Sequence, residues 1–388
     1  MDGGNADEVL SLPALAGLQA LTLRDCKLWR LPRAVSALTA LTFIDLCRND
    51  IEDLAPLVAL QRLQSLNLSF CSLKAVPQQV SALTALTRLV LSTKLGMAGG
   101  LQHLLPLTHL SDLDLAFGHI TAVPEQVSAL TALTRLDISG SRGLAGGWQH
   151  LLHLTRLRDL NLVALDLQAV PQQLSALTGL TRLTLLDNKQ LAGDWQQLLL
   201  FLTRLQDLDL SRCSLPAVPE QLSVLTGLTC LALSANHVRV TSDHWCSLGA
   251  DWQHLLHLTR LRDLNLVALD LQAVPQQLSG LTALTRLDLG MNQQLDGGWQ
   301  RLLPLTQLCD LDLSFGSFAA VPEQVSALTA LTCLNLTYNW SLDDGWQHLL
   351  SLSQLRHLKL PPDTTGPQQL TALTRLKLSC ESLPLADS

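Results

Sequence analysis

The sequence predicts an α/β solenoid of about 16 repeats, with a strand and a short helical return in each. Three observations point there: a fixed period, a two-residue alternation of leucine, and two return segments that take turns along the chain. Aligned on their first leucine, the repeats start at Leu18, Leu41, Leu63, Leu86, Leu110, Leu133, Leu157, Leu180, Leu205, Leu228, Leu261, Leu284, Leu308, Leu331, Leu355 and Leu373. The spacing is 22 to 25 residues, except for 33 between Leu228 and Leu261 and 18 between Leu355 and Leu373. A period of this size marks a stacked array: one repeat cannot bury its apolar face alone, so neighbours share a core.

Each repeat opens with Leu-x-x-Leu-x-Leu, whose alternation is the period-2 signal of a strand with one face buried. In the repeat at Leu110 the buried set is Leu110, Leu113, Leu115 and Ile120, and the outward set is Asp112, Asp114, Ala116 and Phe117. The first kind of return carries Val-Pro-Glu-Gln or Val-Pro-Gln-Gln, as at Val123–Gln126, Val170–Gln173 and Val321–Gln324. Proline suits the first helical position, where its missing N–H leaves nothing unpaired, so a helical turn is predicted to start at Pro124 and its equivalents. The second kind carries Gly-Gly, Gly-Asp or Asp-Gly before Trp-Gln, at Trp148, Trp195, Trp299 and Trp346. Trp252 fits the same slot and Leu101 replaces the Trp in the earliest copy. Strands then line the concave side and helical returns the convex side.

The pattern L-x-x-L-x-L-x-x-N/C-x-L stands almost whole at Leu41 (Ile44, Leu46, Asn49, Ile51), Leu63 (Leu66, Leu68, Cys71, Leu73) and Leu205 (Leu208, Leu210, Cys213, Leu215). These residues resemble the leucine-rich repeat family. The Leu-x-x-Val/Leu-Pro variant is similar to intracellular repeats of the Ras-associated and disease-resistance types. The resemblance covers nearly the entire chain. It implies a horseshoe with a parallel sheet on the concave face, short helices and turns on the convex face, and a role in protein recognition. The family's Asn/Cys position is Leu165, Leu269, Gly118 and Gly316 in other repeats, so its side-chain ladder is expected to be broken there.

Composition narrows the partners. The 388 residues carry a net charge of −7 at 47% hydrophobic and 4% aromatic content. An acidic chain lacks the basic face that phosphate binding needs, which argues against nucleic acid. The start, MDGGNADEVL, has no basic n-region or apolar h-region, and no run of about 18 apolar residues suggests a membrane span. Nine scattered cysteines, including Cys26, Cys71 and Cys213 at repeat positions, form no cluster for a disulfide cap, which points to a reducing, cytoplasmic home. Asn67 and Asn335 begin glycosylation-like triplets but fall in strands, and the matches are read as chance.

In domain terms, residues 1–10 are expected to be a disordered tail, 11–383 a single solenoid and 384–388 a second tail. The solenoid contains an insertion at 238–250 and a degenerate repeat at 355–372, whose Pro361, Pro362 and Pro367 cannot make the usual return helix. Residues 149–178 recur at 253–282 with one change, Ala176 to Gly280, which reads as a recent block duplication. The array begins in mid-theme, as the sensor portion of a larger protein would.

Read down the outward positions, the third residue of successive repeats runs Arg88, Asp112, Arg135, Asp159, Arg182, Asp207, Cys230, Asp263, Arg286, Asp310, Cys333. With parallel neighbours about 4.8 Å apart, opposite charges alternate, as a self-neutralising ladder or as a charged docking strip. The fifth residue runs Asp114, Asp137, Asn161, Thr184, Asp209, Ala232, Asn265, Asp288, Asp312, Asn335, without a base until Lys359 and Lys377. This acidic stripe fits a basic partner surface, or is simply solvated. The eighth residue supplies Phe70, Phe117, Phe315 and Tyr338, which are contact candidates or packing against the next repeat. His244 and Trp245, in the insertion, are further candidates.

No motif carrying chemistry was found. His237, Asp243, His244 and Cys246 match no zinc spacing. His103, His150, His254 and His348 recur with the return segment, and the Gly-Gly-Trp-Gln starts lack the following Lys-Ser/Thr of a phosphate loop. The expectation is a non-enzymatic scaffold, without metal or cofactor, that binds a protein on its concave face. The alternative is the recognition portion of a signalling, immune-type or ubiquitin-ligase receptor.

Overall fold

The structure, a computed structural model, describes residues 12–93, 96, 99–191, 195–241, 244–248, 251–361 and 377–380. The chain divides into two compact units, Met1–Leu202 and Thr203–Ser388. In the first unit lie β1 (Ala20–Thr22), β2 (Phe43–Asp45), β3 (Ser65–Asn67), β4 (Arg88–Val90), β5 (Asp112–Asp114), β6 (Arg135–Asp137), β7 (Asp159–Asn161) and β8 (Arg182–Thr184). In the second lie β9 (Asp207–Asp209), β10 (Cys230–Ala232), β11 (His237–Thr241), β12 (His244–Ser247), β13 (Asp263–Asn265), β14 (Arg286–Asp288), β15 (Asp310–Asp312), β16 (Cys333–Asn335), β17 (His357–Leu360) and β18 (Lys377–Cys380).

In each unit, strands of successive repeats pair in parallel at equal register. Leu113 lies opposite Leu136, and Leu287 opposite Leu311. Register is fixed because a one-residue slip would turn every fourth-position leucine outward. Leu113, Leu136, Leu160, Leu264, Leu287 and Leu311 are all fully buried. Ala116, read as outward from the sequence, is also buried, because the chain turns inward after its strand.

The returns are 3₁₀ turns of three to six residues rather than α-helices. With about 23 residues for a complete circuit, only one tight turn fits between strands. Proline does not take the first helical position. Pro124, with φ −63 and ψ 138, stands one residue earlier, as N-cap to Glu125–Ala129. There its carbonyl accepts the Val127 N–H at 3.1 Å, the i to i−3 bond that opens the turn.

The second return depends on glycine. Gly147, Gly298 and Gly345 cap their turns with φ of 76 to 80. A Cβ on Gly147 would overlap the backbone of Val123 in the preceding repeat, and Gly298 and Gly345 abut Val274 and Val321 in the same way. Val123 N–H donates to the Gly146 carbonyl at 2.9 Å, and Val274 and Val321 do the same toward Gly297 and Asp344, so a second line of backbone bonds joins these Val-Pro repeats to the Gly-Trp repeats after them.

The same pairing resolves the ladder that the sequence leaves broken. Asn188, Asn236, Asn292 and Asn339 are fully buried, one in every second repeat. Asn188 Oδ1 accepts the amides of Leu165 and Leu167 at 3.1 Å, and its Nδ2 donates to the carbonyls of Leu162 and Leu185. Asn292 and Asn339 repeat this arrangement on Leu269 and Gly316. Leu165, Leu269 and Gly316 need no polar side chain, because the next repeat's asparagine reaches back to their backbone. The structural module is thus the pair of repeats, about 47 residues long.

Two further readings change. The insertion at 238–250 contains an antiparallel hairpin, β11 with β12, rather than an unstructured loop. Val238-Arg239-Val240 has the alternation of a strand. At the far end, Leu358 lies opposite Leu378, and Lys377 opposite His357. Starting the last repeat at Leu373 would have put Leu376 opposite Leu358 and Lys377 in the fifth column, so the observed register is two residues away. The spacing from Leu355 to Leu373 is 18 residues against the usual 22 to 25. The two tails and most of the degenerate repeat, 362–376, lie outside the described residues.

Candidate functional site

On the strand face of the first unit, the third-position residues form a continuous ion-pair ladder. Arg88 Nη1 reaches Asp112 at 2.9 Å, and Arg135 reaches Asp112 at 3.2 Å and Asp159 at 3.4 Å, and also the fifth-position Asp137 of its own strand at 3.5 Å. Arg182 meets Asp159 at 3.8 Å. In the second unit Arg286 meets Asp310 at 3.8 Å. Such exposed pairs are worth about 0–1 kcal/mol each. Their consequence is that each of these arginines already has a carboxylate partner.

The fifth-position column behaves differently, and half of each carboxylate is structural. One oxygen of Asp114, Asp137, Asp209, Asp288 and Asp312 accepts the amide two residues on, from Ala116, Ser139, Ser211, Gly290 and Ser314, at 2.9 to 3.0 Å. This closes the strand as an Asx turn. The other oxygen varies: in Asp137 and Asp312 it accepts from Asn161 and Asn335, at 2.7 and 2.6 Å. Burial raises the Asp114 carboxyl above its usual range. Burial, with Asp312 on the adjacent strand, pushes Asp288 up to about 6. Around β10 the outward residues are the small Cys230 and Ala232, leaving a depression of about 270 Å³ bordered by Asp207, Asp209, Asp263 and Asp288.

The aromatic candidates stand at the strand exits, not within the strands. Phe70, Phe117, Phe315 and Tyr338 all have left-handed backbones, with φ of 54 to 61. The ring of Phe117 lies over Gly140 of the next repeat yet remains 49% exposed. Phe315 stacks on Tyr338 at 4.1 Å, so packing against the neighbour accounts for part of both. Tyr338 is 8% exposed. For His244 and Trp245 the structure describes only the backbone, in which Trp245 pairs with Arg239 and His244 with Thr241.

Two contributors escaped the sequence reading. Trp340, edge-on to Tyr338 at 5.8 Å, is 61% exposed, and Met291 in the matching turn two repeats earlier is 49% exposed. Trp340 directly follows the buried Asn339, a position that could have been read had the asparagine ladder been seen as intact. Among the described residues no group of three or more His, Cys, Asp or Glu is arranged to hold a metal, and no helix is long and apolar enough to cross a membrane.

No family model and no curated protein matches the sequence. Solved structures do match the fold. An internalin from Listeria monocytogenes superposes with a TM-score of 0.59 at 18% identity, covering 98% of this chain and 94% of that one. A leucine-rich repeat protein from Leptospira interrogans gives 0.58 at 19% identity, covering 96% and 97%. Parallel one-strand repeats, 3₁₀ returns and a buried asparagine ladder, set beside these neighbours, make this the leucine-rich repeat fold.

Proposed function

We propose that the chain is a non-enzymatic protein-interaction scaffold that receives a partner with a basic surface on its strand face. The observation that carries this is the contrast between two adjacent columns. Third-position arginines are matched by aspartates on neighbouring strands, whereas the fifth-position aspartates of β14 and β15 have only acidic or amide neighbours across the sheet, and Asp114 of β5 lies between Val90 and Asp137. Such a stripe raises the encounter rate and selects for positive charge more than it adds raw affinity. Phe70, Phe117, Phe315 and Tyr338 supply apolar contact beside it. Among the described residues seven cysteines are thiols rather than half-disulfides, the fully buried Cys71 and Cys213 included, which fits a reducing compartment.

The test is affinity capture at about 50 mM and about 300 mM salt, comparing the parent with a variant carrying Asp114→Asn, Asp209→Asn and Asp312→Asn. Asparagine keeps the acceptor for the i+2 amide, so the strand exits survive. The expected result is a partner retained by the parent at low salt, weakened at high salt, and weakened in the variant at both. Equal capture by parent and variant would overturn the acidic-stripe reading.

A further inference from the structure

We propose that Met291, Phe315, Tyr338 and Trp340, at the exits of β14 to β16, form a docking ledge for an arginine-bearing segment of a protein partner. The inference rests on the strand face being the partner's seat, and it names which part of that face makes the anchoring contact and by what chemistry.

Folding alone does not account for this row. Met291, Phe315 and Tyr338 occupy a left-handed backbone position, with φ of 58, 54 and 61. Bulky side chains are uncommon there. The same slot elsewhere takes Ala164, Asp187, Arg212 and Ala235, so the fold does not require a large apolar group. The row also leaves apolar surface open, 49% at Met291 and 61% at Trp340. Trp340 is nonetheless held in place: its edge meets Tyr338, which stacks on Phe315, and its chain neighbour Asn339 is pinned to the carbonyls of Leu313 and Leu336 at 2.9 Å.

Charge decides the occupant. Asp288 uses one oxygen on the Gly290 amide, and its other oxygen has no hydrogen-bond donor among the described residues. Exposed Asp296, Asp343 and Asp344 lie in the turns that follow the same strands. Of the nearby bases, Arg286 is already engaged with Asp310, and Lys359 stands one strand further on. A rigid aromatic surface inside an acidic surround fits a guanidinium better than an ammonium. The planar group can lie flat on a ring and still direct its N–H fork at a carboxylate.

The experiment uses the full chain and three labelled peptides, acetyl-Gly-Arg-Gly-Gly-Arg-Gly-amide and its lysine and citrulline counterparts, read by fluorescence anisotropy at about 50 mM salt. The arginine peptide should bind about threefold more tightly than the lysine peptide, with citrulline abolishing binding. Trp340→Ala and Phe315→Ala should each weaken it about fivefold, Trp340→Phe should retain most of the affinity, and Phe201→Ala, an exposed aromatic at the end of a return, should leave it unchanged. Because Trp340 is exposed, its variants should keep the parent melting curve, which separates lost binding from lost folding. If Trp340→Ala binds like the parent while the triple aspartate variant does not, the stripe stands and the ledge is overturned. If neither variant changes binding, or the parent binds no peptide, the ledge is overturned, and capture at two salts still judges the stripe.

Discussion

Replacing Asn292 with alanine removes a fully buried side chain that holds backbone groups in two neighbouring repeats. Its Oδ1 accepts the amides of Leu269 and Leu271 at 3.0 and 3.1 Å, and its Nδ2 donates to the carbonyls of Leu266 and Leu289 at 3.0 and 2.8 Å. A buried polar group left without a partner costs about 1–3 kcal/mol, so the two amides alone set a loss of about 2–6 kcal/mol. Carbonyls tolerate a missing partner better, and we expect about 4 kcal/mol in all. Cys71→Ala is the control, because that thiol donates to the carbonyls of Leu46 at 3.1 Å and Ser69 at 3.7 Å and sulfur bonds are weak, so it should cost about 1–2 kcal/mol. The assay is urea unfolding followed by far-UV circular dichroism, paired with hydrogen exchange at Leu269 and Leu271. Contacts run only between neighbours, so exchange should accelerate first at those two amides. A loss below about 1 kcal/mol, or one no larger than that of Cys71→Ala, would refute the paired-repeat clamp.

Other perturbations probe other parts of the structure. The folded Asp288 carboxyl titrates at about 6 against an ordinary 3.8, so its stabilising contribution is complete below about pH 4 and lost as pH rises through 6. Asp288→Asn should therefore match the parent at pH 4 and exceed it by about 1 kcal/mol above pH 7, after discounting for partial exposure; parallel stability profiles would refute this. Leu160→Asp puts an unpaired charge into a fully buried site and should cost several kcal/mol, so an unchanged melting curve would overturn the strand register. Gly147→Ala meets the Val123 backbone at a left-handed φ and should lower stability by about 2–3 kcal/mol, whereas Gly143→Ala, with open space around it, should cost about 1 kcal/mol. Equal losses at both glycines would deny the close approach between paired repeats.

Much of the fold was legible because burial enforces it repeat by repeat. Each Leu-x-x-Leu-x-Leu reports the same inward face, and Gly147 and its equivalents mark the points where backbones nearly touch. What escaped reading depends on relations between repeats. Leu165 looks like a gap in a ladder until Asn188 of the following repeat is seen to reach back across it. Pro124 looks like a first helical residue until its carbonyl is seen to open the turn. The charge ladder was readable because alternation in sequence becomes adjacency in a parallel sheet. The ledge was half readable: Phe315 and Tyr338 share a visible column, but Trp340 lies two residues outside it and joins them only through ring packing.

Which face meets the partner is measured directly by hydrogen exchange of the chain with and without its captured partner. We predict slowed exchange at the strand exits, above all at residues 288–291, 312–315 and 335–340, with the 3₁₀ returns such as Glu323–Ala327 and Trp346–Leu349 unchanged. Protection confined to the returns, with the strand exits exchanging as in the free chain, would contradict both the acidic stripe and the aromatic ledge.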